Sequence, residues 1–380
     1  MQEYVPQSIH CVMAKPEFSR DNTRKSQGIG IVSITLLQSC IFIPDSKMKT
    51  KTYSIGVDLG GTNLRIAAYT HDDGLLETIL LPTRLAAGRE AVVEDMCTAI
   101  QTLESRYSAA HELAGIGIGT PGPLELPAGV LHNPPNLTGW DGFELRTAIE
   151  SRLNRPVILE SDANAAALAE ATLGLGRSMH IDSLCMLTLG TGVGNGIILN
   201  GKVWDGAAGM AGEAGHATIY PDGPHCPCGS HGCLEMYASA TAIVRTANQR
   251  IAAGTAPALA GSTWNAHSLA DAADKGNPDA KQIFVDAGRA LGIGLAALVN
   301  TLNLPLYVVG GGLALAWHLM KDVVFEELNH RSYVYRLTAP GSSLATRNSA
   351  GTTHVLPAEL GPDAGLLGAC MLPFAEKSLG

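Results

Sequence analysis

Charge is scarce in this chain. Asp, Glu, Lys and Arg make up 16% of its 380 residues, and the basic ones are the minority, 26 against 35, for a formal net charge of −9. A general nucleic-acid binder needs a basic face to displace counterions, so no nucleic-acid partner is expected. No G-x-x-x-x-G-K-[ST] string occurs, which excludes a Walker-type phosphate loop. The glycine turns that do occur lead into second strands rather than helices, so the dinucleotide-binding fingerprint fails too. No C-x-x-C pair occurs among the eight cysteines, which argues against thiol redox catalysis. Only three cysteines cluster, in a chain too long and too irregularly spaced for a secreted disulfide scaffold, and a reducing cytoplasm is the expected compartment. What the chain has in quantity is apolar residues, 46%, and 43 glycines, enough for a large core with many tight turns.

Residues 1–47 read separately. Arg20, Arg24 and Lys25 precede an apolar run at 28–43, the pattern of a signal-peptide core or an anchor, but its 16 residues are short for a spanning helix. Met48 opens "MKTKTYSIGVDLGG", a short basic lead into a first strand. Residues 1–47 are therefore expected to be a non-native or disordered extension, with no membrane partner.

From Tyr53 the pattern is strand, glycine turn, strand. Residues 89–105 read as a helix, with Val92, Val93, Met96, Ile100 and Leu103 near one face. "ELAGIGIGTPGPL" is a buried strand running into a Pro/Gly loop, and "PVILESDANAAALAEATLG" is a strand entering an alanine-rich helix that ends near Gly174. At 184–204 the opening theme returns as strand, glycine turn, strand. A long helix around Phe284, Leu291, Leu295 and Leu302 feeds a strand ending in three glycines. Residues 252–266 read as a surface loop and 363–375 as a closing helix. The repetition predicts two similar α/β domains facing across a cleft, 48–172 and 173–380, with the last helix packing back on the first domain.

Two glycine turns carry the first functional signal. "DLGGTN" places Gly60, Gly61, Thr62 and Asn63 between strands, and "LGTGVGNG" repeats the device with Gly190, Thr191, Gly192, Val193 and Gly194. Glycines let backbone N–H groups approach an anion, and two such turns at the starts of two halves suggest a paired phosphate clamp rather than two ordinary hairpins. Asp58, beside the first turn, is suited to orient a magnesium-bound water. Gly310, Gly311 and Gly312 offer a third site, at a strand-to-helix turn where adenosine or phosphate could rest.

Asp162 stands where a strand ends and a helix starts. It is either an N-cap, a role Ser161 fills as well, or a general base taking the proton of an attacking hydroxyl. Glu213, His216 and Glu235 offer carboxylates and an imidazole, which suit sugar hydroxyls. Cys226, Cys228 and Cys233 follow His216 by ten, twelve and seventeen residues, the soft donor set of a closed, structural zinc site. His225 and His231 are competing ligands on spacing alone.

"DLGGTN", "GTPGPL", "DANAAALAE", "LGTGVGNGIILNG", "AGEAGH", "CPCGSHGCLE" and "VVGGG" occur in an order that resembles the ROK family of sugar kinases and repressors, from Ser54 to about Leu372. The resemblance implies an actin-like ATPase (ribonuclease H-like) fold with sugar and ATP in the interdomain cleft. It implies Asp162 as base, and Pro121, Gly122, Asn136, Ser161, Glu213, His216 and Glu235 at the sugar. It implies His216, Cys226, Cys228 and Cys233 as zinc ligands, with ATP, Mg²⁺ and structural Zn²⁺ as cofactors and a homo-oligomer, dimer or tetramer, as the assembly. One departure stands out: Ser161 occupies a position where the family usually has Asn, which leaves the identity of the hexose open. Glucokinase is the activity the resemblance favours, phosphorylating the 6-hydroxyl. Kinases of N-acetylhexosamines, mannose, fructose or allose are alternatives. A sugar-responsive repressor would need a winged helix-turn-helix, and the 47 residues before Met48 show no pair of amphipathic helices with a turn.

Overall fold

The computed structural model describes residues 51–377, so the expectation for 1–47 lies outside the described residues. The chain opens with β1 (Lys51–Leu59), β2 (Asn63–Thr70) and β3 (Gly74–Pro82), then α1 (Arg89–Tyr107) and β4 (His111–Thr120). A small antiparallel sheet follows, of β5 (Leu124–Glu125), β6 (Val130–Leu131) and β7 (Phe143–Glu144), and runs into α2 (Leu145–Leu153). Next come β8 (Ile158–Ser161), α3 (Asp162–Thr172) and α4 (Leu175–Met179). The second half begins with β9 (Leu184–Leu189), β10 (Val193–Leu199) and β11 (Lys202–Val203). It continues through α5 (Glu235–Ala238), α6 (Ala240–Ala252), α7 (Ala266–Asp274), α8 (Pro278–Leu302), β12 (Leu306–Gly310) and α9 (Trp317–Arg331). It ends with α10 (Tyr333–Thr338), α11 (Ser343–Arg347), β13 (His354–Pro357) and α12 (Ala364–Lys377).

The two large sheets have one plan. In the first the order is β3-β2-β1-β4-β8, and in the second β11-β10-β9-β12-β13. Each starts as an antiparallel three-strand meander and continues parallel through the first strand of the half. The central strands are apolar on both faces because both faces are covered. Tyr53, Ile55, Val57 and Leu59 of β1 join a core with α1 and α2, while the alternate residue Ser54 donates its hydroxyl to Cys370 O of α12 at 2.7 Å. In β12, Tyr307 and Val309 join a core built with α8 and α9, and Leu306 and Val308 face a third core with α3 and α12. The helices α3 and α12 thus form the middle layer between the sheets, and α12 lies on β1 and β4.

The helix at 89–105 extends to Tyr107, and the closing helix begins at Ala364 after a single turn. The segment 252–266 lies at the surface as expected, with most of its residues exposed. Its turn at Pro257–Leu259 buries Ala256 and Leu259 in the second core, and Trp264 Nε1 donates to Leu259 O at 2.8 Å.

Candidate active site

A cavity of about 340 Å³ opens between the two sheets. Its walls come from the loop after β4, the start of α3, the β9–β10 turn and the segment leading to the cysteine cluster.

Asp162 is the first residue of α3, and the residue that caps the helix is Ser161, whose Oγ accepts the Asn164 N–H at 3.1 Å. The cap role open to both residues therefore falls to Ser161, and the Asp162 carboxyl is left facing the cavity. That side chain is solvent-exposed within the open cleft, and the desolvation it feels comes from the protein walls packed around the cleft. Burial pushes its carboxyl up to about 6; the charges of Asp58 and then Glu213 add to this, against the Ala163 N–H.

Two polar walls flank Asp162. On one, Pro121, Gly122, Asn136, Glu213, His216 and Glu235 line the cavity. His216 Nε2 lies 3.9 Å from Glu213 Oε2. Burial raises the Glu213 carboxyl, which His216 counteracts and Glu235 reinforces. On the other, Gly190, Thr191, Gly192, Val193 and Gly194 form the second glycine turn. Gly190 N donates to Gly192 O at 2.9 Å, and the N–H groups of Thr191 and Gly192 meet no acceptor among the described residues. The first turn is one residue longer, with Gly60 N donating to Asn63 O at 2.9 Å.

Glu235 joins the walls. Its Oε2 accepts the Val193 N–H at 2.9 Å, and a β-carbon on Gly192 would lie 2.2 Å from that oxygen, so any side chain there would push the Glu235 carboxylate aside.

Other residues singled out in the sequence fall differently. Gly60, Gly61, Thr62 and Asn63 do not line the cavity, though a β-carbon on Gly61 would lie 2.7 Å from Asn136 O, which puts this turn directly behind the wall. Asp58 Oδ2 accepts Arg65 Nη2 at 2.7 Å and Nε at 3.0 Å, and Arg65 also reaches Asp363 at 3.0 Å. One oxygen of the proposed water-orienting carboxylate is thus committed to an ion pair. Of the third glycine run, only Gly311 lines the cavity; Gly310 ends β12 packed on Met186, and Gly312 is exposed.

Sequence reasoning missed Thr188, Asn195 and Gly212, which also line the cavity. It also missed Glu160 behind Asp162. The Glu160 carboxyl is only 4% exposed and accepts Ser161 N at 2.7 Å and Asn164 Nδ2 at 2.9 Å. An acidic residue in a strand otherwise buried was the available signal.

The cysteine cluster closes beside this wall. His216 Nδ1 and the sulfurs of Cys226, Cys228 and Cys233 all lie within 4.8 Å of one another. Zinc bonds of about 2.3 Å to sulfur and about 2.0–2.1 Å to nitrogen, arranged tetrahedrally, separate two sulfurs by about 3.8 Å and sulfur from nitrogen by about 3.6 Å. Cys228 and Cys233 sulfurs are 3.7 Å apart, and Cys226 Sγ is 3.6 Å from His216 Nδ1. The donor set and its spacing fit zinc. His225 and His231 stand outside it, paired edge to face at 5.2 Å.

The ROK family pattern matches residues 54–376. A glucokinase of Halalkalibacterium halodurans is 33% identical over 331 residues, 85% of this chain and 96% of that relative. Among solved structures, the ROK hexokinase of Thermus thermophilus has a TM-score of 0.68 at 33% identity, covering 86% of this chain and 100% of that one. A ROK family glucokinase from Streptomyces griseus, solved in complex with glucose and AMPPNP, has a TM-score of 0.68 at 33% identity, covering 84% of this chain and 98% of that one. The two-sheet architecture is accordingly the actin-like ATPase fold.

Proposed function

Because this chain belongs to the ROK family, we propose that its cavity binds a hexose beside the γ-phosphate of ATP and transfers the phosphoryl group to a sugar hydroxyl, with glucose and its 6-hydroxyl as the substrate. The observation that carries this reading is the position of Asp162. Its carboxyl faces the cavity between a wall of carboxylates, amide and imidazole suited to hydroxyls and a glycine turn with open N–H donors suited to phosphate.

Phosphoryl transfer passes through a loose transition state, so the protein contributes mainly position and charge. Asp162 accepts the hydroxyl proton as the sugar oxygen bonds to the γ-phosphorus and the bond to ADP breaks. A carboxyl near 6 is ionised at neutral pH and close enough to it to accept a proton. Thr191 and Gly192 present their N–H groups to the phosphate oxygens, while Asn136, Glu213, His216 and Glu235 hold the sugar. Mg²⁺, arriving with the nucleotide, supplies neutralisation of the phosphate charge.

His216 Nδ1 and the three thiolates would hold a zinc ion, a set of four protein donors that would make its role structural. Ligation through Nδ1 would fix the His216 ring with Nε2 toward Glu213, from which it lies 3.9 Å. Ser161 bears on the choice of hexose. One lone pair of its Oγ is taken by the helix cap, which leaves its hydroxyl hydrogen and one further lone pair for a sugar.

A coupled ADP-release assay across glucose, mannose, fructose, allose and the N-acetylhexosamines tests the proposal. Glucose is expected to give the highest kcat/KM. Preference for another hexose would overturn the assignment of glucose, and no turnover with any of them would overturn the kinase.

A further inference from the structure

A second cavity, of about 410 Å³, lies away from the first and shares no lining residue with it. It sits between α6 and α8, with Tyr220 and Pro224 of the cysteine loop and Tyr237 of α5 at its mouth. Its size is that of a small-molecule site.

The chemistry of its wall is cationic. Arg250 and Arg289 share Asp286, and Arg289 and Arg331 share Glu327, with the Arg289 contacts at 3.7 and 3.2 Å. Arg245, the fourth guanidinium, has no ion-pair partner among the described residues. The lining itself carries three guanidiniums, Arg245, Arg250 and Arg289, against one carboxylate, Asp286, a positive site in a chain whose net charge is −9. Only one protein acceptor meets Arg245: Nη2 donates to Met236 O, while Nε is buried with no partner. A buried donor left unmade is costly, and a guanidinium fork matches the oxygens of a phosphate. The hydroxyls of Tyr220 and Tyr237, whose rings meet edge to face at 5.0 Å, and the side chains of Thr246 and Gln249 likewise have no hydrogen-bond partner among the described residues. The floor is apolar, from Ile243, Ile283 and Ala287.

We propose that this cavity binds a phosphate monoester of a small polar molecule. The phosphate sits on Arg245, with the esterified part against the two tyrosines and the apolar floor. An occupant would touch α5, the four-residue helix that begins with Glu235 of the main cavity.

The test is calorimetric titration of the full chain with glucose 6-phosphate while the main cavity is saturated with glucose and a non-hydrolysable ATP analogue. One site should remain, weakening as salt is raised. Arg245→Ala should weaken it about 10- to 100-fold, the range for losing a hydrogen bond to a charged group. Gln249→Glu, at an exposed position where the fold is not at stake, should weaken it as well by adding a negative charge. Both variants lie outside the main cavity, so their effect does not depend on what that cavity binds. Tighter binding of glucose 6-phosphate than of inorganic phosphate identifies an ester as the ligand. Equal binding of the two, no binding once the main cavity is full, or undiminished binding in both variants would overturn the proposal.

Discussion

Glu235 accepts the Val193 N–H at 2.9 Å, so the residue two places after the last cysteine of the cluster is hydrogen-bonded into the second glycine turn. The sugar wall and the phosphate turn therefore share a group. Glu235→Ala leaves the Val193 donor without its acceptor, and KM should rise for both substrates, each by about 5- to 100-fold for a lost buried bond. Glu235→Gln keeps an oxygen for Val193 but loses the charge, so KM for nucleotide should recover while KM for sugar stays high. Steady-state kinetics with each substrate varied in turn checks this, and equal recovery of both constants would contradict it.

Asp162 gives a prediction with two signs. Asp162→Asn should lower kcat by roughly 100-fold or more, the scale of losing a general base. The same substitution should raise the thermal midpoint at pH 7.5. The carboxyl sits at about 6 in the folded protein, above its ordinary value, so stability falls as pH rises from the ordinary carboxylate range through 6, and the neutral amide escapes that cost. For the unsubstituted protein, kcat/KM should decline as pH falls through about 6. A variant that is slower but less stable at pH 7.5 would show that Asp162 does not carry this cost.

Glu160 should control stability in the alkaline range. Burial, reinforced by the charge of Asp205, pushes its carboxyl up to about 8, and Asp205 Oδ1 is buried without a partner. A protonated Glu160 supplies the missing donor. Its folded pKa is raised, so the folded protein loses stability as pH climbs from the carboxylate range through 8. Gln at this position mimics the protonated acid, accepting from Ser161 and Asn164 and donating to Asp205. Melting curves between pH 6 and 9 should therefore fall less steeply for Glu160→Gln, and parallel curves would rule the proton out.

Gly117 on β4 faces α12, and a β-carbon there would lie 2.1 Å from Ala369 O. Backbone cannot yield as a side chain can, so Gly117→Ala should cost about 1–3 kcal/mol by overpacking. Denaturant unfolding measures this directly, and an unchanged midpoint would mean that α12 can move off the sheet.

The strand-turn-strand repeats and the long apolar helices were legible because burial on two faces and helical spacing write themselves into local sequence. Contacts between distant segments were not. That Arg65 would take an Asp58 oxygen needed the hairpin register, in which the two residues pair directly. The cap at Ser161 and the base candidate at Asp162 compete on equal terms in sequence, and only the helix start separates them. The cysteine cluster was readable down to its ligand types, but the choice of His216 over His225 and His231 depended on how the loop folds. The pairing of Glu160 with Asp205 joins positions with no shared motif, so nothing local announced it.

The contact between Ser54 and Cys370 spans 316 positions of the chain. At about 5–20 residues per second, a ribosome makes the first of these residues roughly 15 to 60 seconds before the second. Throughout that interval β1 lacks α12, the helix that lies on β1 and β4. The opening strands thus wait through 316 positions of chain before they can finish folding. Chains stalled before residue 364 should yield to protease in strands that resist it once the protein is released.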